Sequence, residues 1–247
     1  MNMARAYNFI RTRILKTRIS SEELLDSLRS RGAKIGEDVQ IYSTGKTLID
    51  STSPWLLTIG DHVKITEGVK ILTHDYSWSV LKGIKAGDTE PGAVLGCQRP
   101  VEIGSRVFIG VNAVITCGVK IGDDVVIGAG SVVTRDCPSR GVYAGNPAKL
   151  IMSIEEFYKR RQVRQFEEAR RIALSYMERF GREPGEDIFY EYFMLFCDLE
   201  AAEKNEIFKA QMGRMGSYEE TAAYMKNHAP MFPDFNSFLR ACREEKE

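Results

Sequence analysis

From Ile103 onward an aliphatic residue returns at every sixth position: Ile103, Ile109, Ile115, Ile121, Ile127 and Val133. Glycine often follows it (Gly104, Gly110, Gly122, Gly128), and the residue four places on is small or valine (Val107, Ala113, Val119, Val125, Ser131). A fainter run precedes it, through Ile35 and Ile41 and then Ile59, Ile65 and Ile71, with Val39, Val63 and Val69 four places on. A period of six fits neither the 3.6-residue turn of an α-helix nor the two-residue alternation of an ordinary strand. It fits a short strand plus a corner, repeated, with one large side chain per face turned inward. Three such hexads close one triangular coil of eighteen residues, so Ile103–Val133 makes two coils and the earlier hexads add two or three more. A single coil cannot bury its own aliphatics. Only a stack at strand spacing, about 4.8 Å, closes a core and pairs the backbone.

The phase breaks twice. Ile71 and Ile103 are 32 positions apart, not a multiple of six, and residues 76–100 carry Gly83, Gly87, Pro91, Gly92, Gly96 and Pro100. This segment reads as an excursion loop, and a loop of that length inside a compact domain is usually functional. Residues 42–58 also lose phase, around Ser51–Trp55. On either side of the repeat the pattern turns helical. Residues 4–31 carry Ile10, Ile14 and Leu15 at helical spacing, Ser21 as an N-cap before Glu22 and Glu23, and Gly32 as the stop. Arg5, Arg11, Arg13, Lys16 and Arg18 form its solvated face or, less favoured, a weak membrane-surface anchor. After Pro147, helical apolar spacing covers 154–180 and 186–212, with shorter helices at 218–227 and 235–244. The dense apolar residues between Ile188 and Leu199 read as helix–helix core. The expected organisation is an N-terminal helical segment (1–32), a β-helix with its excursion loop (33–151) and an α-helical C-terminal domain (152–247).

The 34 acidic residues balance the 34 basic ones, so no global charge draws the chain to nucleic acid or anionic membrane. No stretch has the length and apolarity of a membrane span and no signal peptide opens the sequence. A cytoplasmic location without stable membrane insertion is the expectation, with peripheral attachment to an inner membrane as its variant. Cys97, Cys117, Cys137, Cys197 and Cys242 lack metal-ligand spacing and read as reduced packing thiols, so no metal is expected.

Of the three histidines, His228 lies in a polar helix end, and His62 stands at a hexad corner where polar residues face solvent. His74 closes the last regular hexad, Ile71-Leu72-Thr73, at the mouth of the excursion loop and beside Asp75. A histidine at a loop edge on a rigid scaffold is placed for proton transfer; the plainer reading is a hydrogen-bonded corner residue.

The hexads, the Ile71-Leu72-Thr73-His74-Asp75 stretch, the loop, and the closing Val133-Thr134-Arg135-Asp136 and Tyr143-Ala144-Gly145-Asn146-Pro147-Ala148-Lys149 together resemble the hexapeptide-repeat sugar O-acetyltransferases. Galactoside and maltose acetyltransferases and the capsule and lipopolysaccharide O-acetyltransferases are of this kind. The resemblance covers about 33–151. It implies a left-handed parallel β-helix, a homotrimer with each acceptor site between two prisms, and acetyl-CoA as co-substrate with a saccharide as acceptor. It makes His74 the general base for a sugar hydroxyl and the backbone N–H of Val111, after Gly110, the oxyanion donor. Gly110, Val111, Ala129, Thr134, Arg135 and Lys149 would line the cofactor. Ala129 would lie on the pantetheine track, Thr134 and Arg135 at the adenine end, and Lys149 on a phosphate. Where family members often carry a second basic residue, this chain has Met152. Asp75, Tyr76 and Trp78, with Trp55, are candidates to meet the sugar; packing is the equal alternative for the aromatics. The group that orients His74 stays open between a backbone carbonyl and a carboxylate from another coil, because Asp75, as a sequence neighbour, points elsewhere on a strand.

The expected activity is therefore acetyl transfer from acetyl-CoA to a sugar hydroxyl of a cell-envelope polysaccharide or its precursor. Xenobiotic or amino-sugar acetyltransferases are close alternatives, and a non-catalytic β-helix scaffold is the alternative of another class. Serine acetyltransferases fit less well, since their helical domain precedes the coils.

Overall fold

The computed structural model describes residues 19–85 and 87–244. The expected basic helix upstream of Ile19 lies outside them. The chain divides into two compact units, one ending at Glu156 and one running from Phe157.

The first unit opens with helix α1 (Ser21–Arg29). Its N-cap is Ser20 rather than Ser21: the Ser20 hydroxyl accepts from the Glu23 amide while the Glu23 carboxylate accepts from the Ser20 amide, a reciprocal box that fixes the helix start one residue early. The coils follow. Coil one is β1 (Lys34–Ile35), β2 (Gln40–Ile41) and β3 (Leu48–Ile49). Coil two is β4 (Leu57–Ile59), β5 (Lys64–Ile65) and β6 (Lys70–Ile71). The excursion loop is bounded by β7 (His74–Asp75) and β8 (Cys97–Gln98), which pair antiparallel. Coil three is β9 (Val101–Ile103), β10 (Phe108–Ile109) and β11 (Val114–Ile115), and coil four is β12 (Lys120–Ile121), β13 (Val126–Ile127) and β14 (Val132–Val133). The ribbon β15 (Gly141–Ala144) and β16 (Lys149–Ser153) closes the unit.

Stacking sorts the coil strands into three parallel faces: β1-β4-β9-β12, then β2-β5-β10-β13 continued by β15 in parallel and β16 antiparallel, then β3-β6-β11-β14. The register is strict, aliphatic on aliphatic: Ile59 on Ile103, Ile65 on Ile109 on Ile127, Ile49 on Ile71 on Ile115 on Val133. These columns and the residues four places on, from Val63 to Ser131, are buried. The section is thus a triangular prism of four complete coils. Segment 42–58 is more ordered than its loss of phase suggests: β3 lies inside it, displaced by two short insertions, one at Ser43–Thr47 and one holding the short 3-10 turn Pro54–Leu56. Three corners follow from the chain order: the first/second, the second/third, and the third/first.

The second unit is helical and has its own core. Helix α2 (Ile154–Phe180) spans the predicted 154–180. The predicted continuous helix over 186–212 is not formed. In its place are 3-10 turns at Glu186–Phe189 and Phe193–Leu195, then α3 (Leu199–Lys204) and α4 (Glu206–Met212). Asp198 caps α3 through the Ala201 amide, and Asn205 caps α4 through the Ile207 and Phe208 amides. These side chains offer the backbone a fresh start and interrupt what the apolar spacing would continue. Phe189, Phe193 and Phe196 are all buried against Phe208 and Phe238, so the aromatics of this stretch are core, packed on several sides rather than on one helical stripe. Helices α5 (Tyr218–Asn227) and α6 (Phe235–Arg243) complete the unit. Burial pushes the thiols of Cys137, Cys197 and Cys242 up to about 11, which keeps them protonated as packing residues. Among the described residues no helix is long and apolar enough to cross a membrane.

Candidate active site

The site is built at the third/first corner, where the chain leaves coil two. Thr73 is buried and His74 half-exposed. Directly along the stack stands Asp50, the residue after β3, only 6% exposed. Its Oδ2 accepts from His74 Nδ1 at 2.5 Å, from the Thr73 hydroxyl at 2.7 Å and from the Thr73 amide at 3.1 Å; its Oδ1 accepts from the Thr52 amide at 2.9 Å. Burial opposes ionisation of this carboxyl. The bonds from Thr73, Thr52 and His74 outweigh it and hold Asp50 well below the usual carboxylate range. An ionised Asp50 can only accept, so Nδ1 carries a proton, and in the neutral ring the lone pair is on Nε2. A base with a fixed tautomer and an open nitrogen is what this corner provides.

Asp50 answers the question left open on the orienting group. It belongs to a neighbouring coil, in the segment whose phase was lost. The signal was an acidic residue in the slot after an inward isoleucine, where the stacked coils carry Leu72, Thr116 and Thr134; reading it required the Ile49–Ile71 register. Asp75 points elsewhere. It is exposed and engaged locally, its carboxylate accepting from the Ser77 amide at 2.8 Å and hydroxyl at 3.0 Å. Those two bonds come first in holding it below the usual carboxylate range. Tyr76 and Trp78 meet edge to face, 5.0 Å between ring centroids, at the start of the loop, with Tyr76 66% exposed. Trp55 is exposed on the insertion that follows Asp50.

Val111 lies elsewhere, at the second/third corner between β10 and β11. The amides on either side of it are used, Gly110 toward the Ile127 carbonyl and Asn112 toward the Glu67 carbonyl. The Val111 amide donates to no acceptor among the described residues, and neither does that of Ala129 in the next coil. Both residues are exposed, and neither side chain can accept a bond. Gly110 has a different reason from the one sequence suggests. A Cβ there would stand 2.5 Å from the Ala129 nitrogen and 2.8 Å from the Gly128 carbonyl carbon, so the stacking of coils, rather than ligand approach, demands glycine. Thr134 and Arg135 are exposed just after β14, at the same third/first corner as His74, and Lys149 is exposed on β16. One chain therefore splits the expected cofactor residues between two corners: Val111 and Ala129 on one, Thr134 and Arg135 on the other. His62 takes a left-handed corner conformation (φ 57°) and bonds Asp38 through Nδ1 at 3.1 Å. His228 stacks on Tyr224 in the helical unit.

Residues 100–135 match the family model for the hexapeptide repeat of succinyl-transferase. Protein CapG of Staphylococcus aureus is 40% identical over 133 residues, which covers 53% of this chain and 72% of CapG. The chain belongs to the hexapeptide-repeat acetyltransferases. The expected acetyl-CoA-dependent acetyl transfer stands with that membership. Another hexapeptide-repeat acetyltransferase, the galactoside O-acetyltransferase of Escherichia coli, is 44% identical over 112 residues, 44% of this chain and about half, 49%, of the relative. Among solved structures, a maltose O-acetyltransferase from Clostridium difficile 630 aligns over 60% of this chain and 85% of its own, with 28% identity and a TM-score of 0.42.

Proposed function

We propose that the protein is an O-acetyltransferase that moves acetyl from acetyl-CoA to a hydroxyl of a saccharide, a cell-envelope polysaccharide or its precursor, with His74 as general base. The observation that carries this reading is the His74–Asp50 pair: a buried, ionised carboxylate fixing a half-exposed imidazole at the mouth of the excursion loop. Nε2 takes the proton of the acceptor hydroxyl as its oxygen bonds to the thioester carbonyl carbon. Asp50 stabilises the imidazolium that results. The tetrahedral intermediate puts negative charge on the former carbonyl oxygen, and the unused Val111 amide is the donor suited to it. Collapse breaks the C–S bond. The CoA sulfur leaves as thiolate and takes the proton from His74, which restores the base.

An oxyanion donor acts at about 3 Å, whereas His74 and Val111 occupy different corners. A face of one hexad separates them, roughly 15–20 Å at strand rise. Two corners of one prism cannot converge, but the second/third corner of one copy can meet the third/first corner of another. This supports a homotrimer of left-handed coils, with the acetyl-CoA arm between neighbours and Ala129, Thr134, Arg135 and Lys149 contributed by two chains. A cytoplasmic enzyme fits this dependence on acetyl-CoA.

The test is thiol release from acetyl-CoA against a panel of glycosides and nucleotide sugars. His74→Ala should lose at least about a hundredfold in rate while CoA still raises the melting temperature. CoA at a hundred times its Kd adds about 2.7 kcal/mol. Near-normal turnover by the variant removes His74 from the chemistry, and no stabilisation of the unaltered protein by millimolar CoA favours a scaffold.

A further inference from the structure

Arg99 brings the chain back from the excursion loop into the corner that holds His74. Its amide donates to the Thr73 carbonyl at 3.0 Å, and its neighbour Gln98 is the ladder partner of His74. The side chain then lies across Gly118 in the next coil. A Cβ at Gly118 would stand 3.0 Å from Arg99 Nε and 3.1–3.2 Å from Cδ and Cζ. Glycine there both takes the left-handed backbone (φ 82°) and clears the bed for the guanidinium.

This guanidinium lies among thiols, Cys117 and Cys97, rather than against a carboxylate. Arg106 holds Asp124, Arg140 holds Glu155 and Arg161 holds Glu168. Arg99 has no carboxylate within ion-pair distance among the described residues; its Nη2 meets the Cys117 thiol, at 3.5 Å. A thiol is a weak acceptor, and a guanidinium has five N–H donors in a planar fork. Glu102, the nearest acid in sequence, pairs with Lys120, and Asp75, whose carboxyl Arg99 helps to hold low from beyond ion-pair distance, is bonded to Ser77. An exposed fork with no ion pair thus extends from the strand end that pairs with His74. Arg135 follows the inward Val133 as Cys117 follows Ile115, which puts a second exposed cation at the same corner.

We infer that Arg99 forms an oxyanion-binding subsite next to His74 that takes a carboxylate or phosphate group of one of the two substrates. This rests on the acetyl-transfer reading for its purpose but not for its test. A guanidinium close to a glycine, with N–H donors left over from its thiol contact, can bond an oxyanion in pairs, which makes it a selective reader of planar or tetrahedral oxyanions. The group belongs either to an acidic acceptor sugar or to CoA.

Binding to the intact protein separates the two. Titration calorimetry compares methyl β-D-glucuronide with methyl β-D-glucoside, and CoA with pantetheine, which lacks the phosphates. The charged member of one pair should bind about tenfold to a hundredfold tighter than the neutral one. Arg99→Gln should erase that ratio in the sugar pair or cut it about tenfold in the CoA pair, where Lys149 and Arg135 keep the remainder; Arg99→Lys should hold part of the loss back, and His74→Ala should leave the ratio whole. A ratio in the sugar pair that Arg99→Gln erases assigns the anion to the acceptor; a ratio in the CoA pair that Arg99→Gln lowers assigns it to the cofactor. Equal affinities within both pairs, or a ratio that Arg99→Gln leaves intact, overturns the subsite. Absence of thiol release with every acceptor would count against acetyl transfer and leave these affinities readable.

Discussion

Two corners of the same prism treat their backbone amides in opposite ways. At the first/second corner each amide is closed by a side-chain oxygen from the next coil: Glu37 donates to Asp61, Asp61 to Ser105, Ser105 to Asp123 and Asp123 to Ser139, all between 2.7 and 3.0 Å. At the second/third corner the equivalent stations include Val111 and Ala129, whose side chains accept nothing and whose amides donate to no acceptor among the described residues. The stacking geometry is shared, so the fold does not force this difference; residue type does. A corner that bonds its own amides is structural, and a corner that leaves them open keeps donors for something outside the chain.

The largest effect should come from what both corners depend on. Ile115→Asp puts a carboxylate into a fully buried column, and no soluble, β-rich protein should result; an unchanged circular dichroism spectrum would break the prism itself. Next is the base corner. Asp50→Asn sets an NH2 against either the Thr52 amide or the three donors on Oδ2, and releases the His74 tautomer. A rate loss of about three orders of magnitude is expected in steady-state thiol release. The same variant has a pH signature. A carboxyl held low stabilises the fold above its unfolded pKa, about 4, and loses that contribution as pH falls toward the folded value. Urea melts from pH 7 down to pH 3 should therefore show a steeper fall for the unaltered protein than for Asp50→Asn.

Val111→Pro deletes the one N–H assigned to the oxyanion. It should cost about a hundredfold in kcat with little change in melting temperature or in the Kd for CoA; unchanged kcat would make the open corner incidental. The smallest effect belongs to the closed corner. Ser139→Ala removes one acceptor from an exposed ladder, so about 1 kcal/mol of stability should go, measured by urea melting, with kcat unaltered. A rate effect there would blur the division between the two corners.

The legible part of this molecule is what repeats. The inward columns could be read residue by residue because each hexad puts the same demand on the same slot, and one histidine at the point of interruption stood out for the same reason. What was not legible depends on stacking register or on competition. Asp50 is 24 positions from His74, and only the Ile49–Ile71 pairing brings them together. The segment from Glu186 to Met212 has helical spacing, yet Asp198 and Asn205 capture nearby amides and its phenylalanines are buried on several sides. The stacking reason for Gly110 needed the position of Ala129 above it. Arg99 carries no signal in the sequence; its place by Gly118 depends on the stack.

The insertion carrying Trp55 and the long one carrying Tyr76 and Trp78 leave from the same edge, one rung apart, while the rungs on both sides keep their pairing. Ladder bonds run between rungs rather than along the chain, so extra residues at that edge interrupt no pairing. Segments there can lengthen, shorten or change composition while the pile beneath is untouched. If those segments meet the acceptor as proposed, its selectivity can drift without cost to the stack beneath.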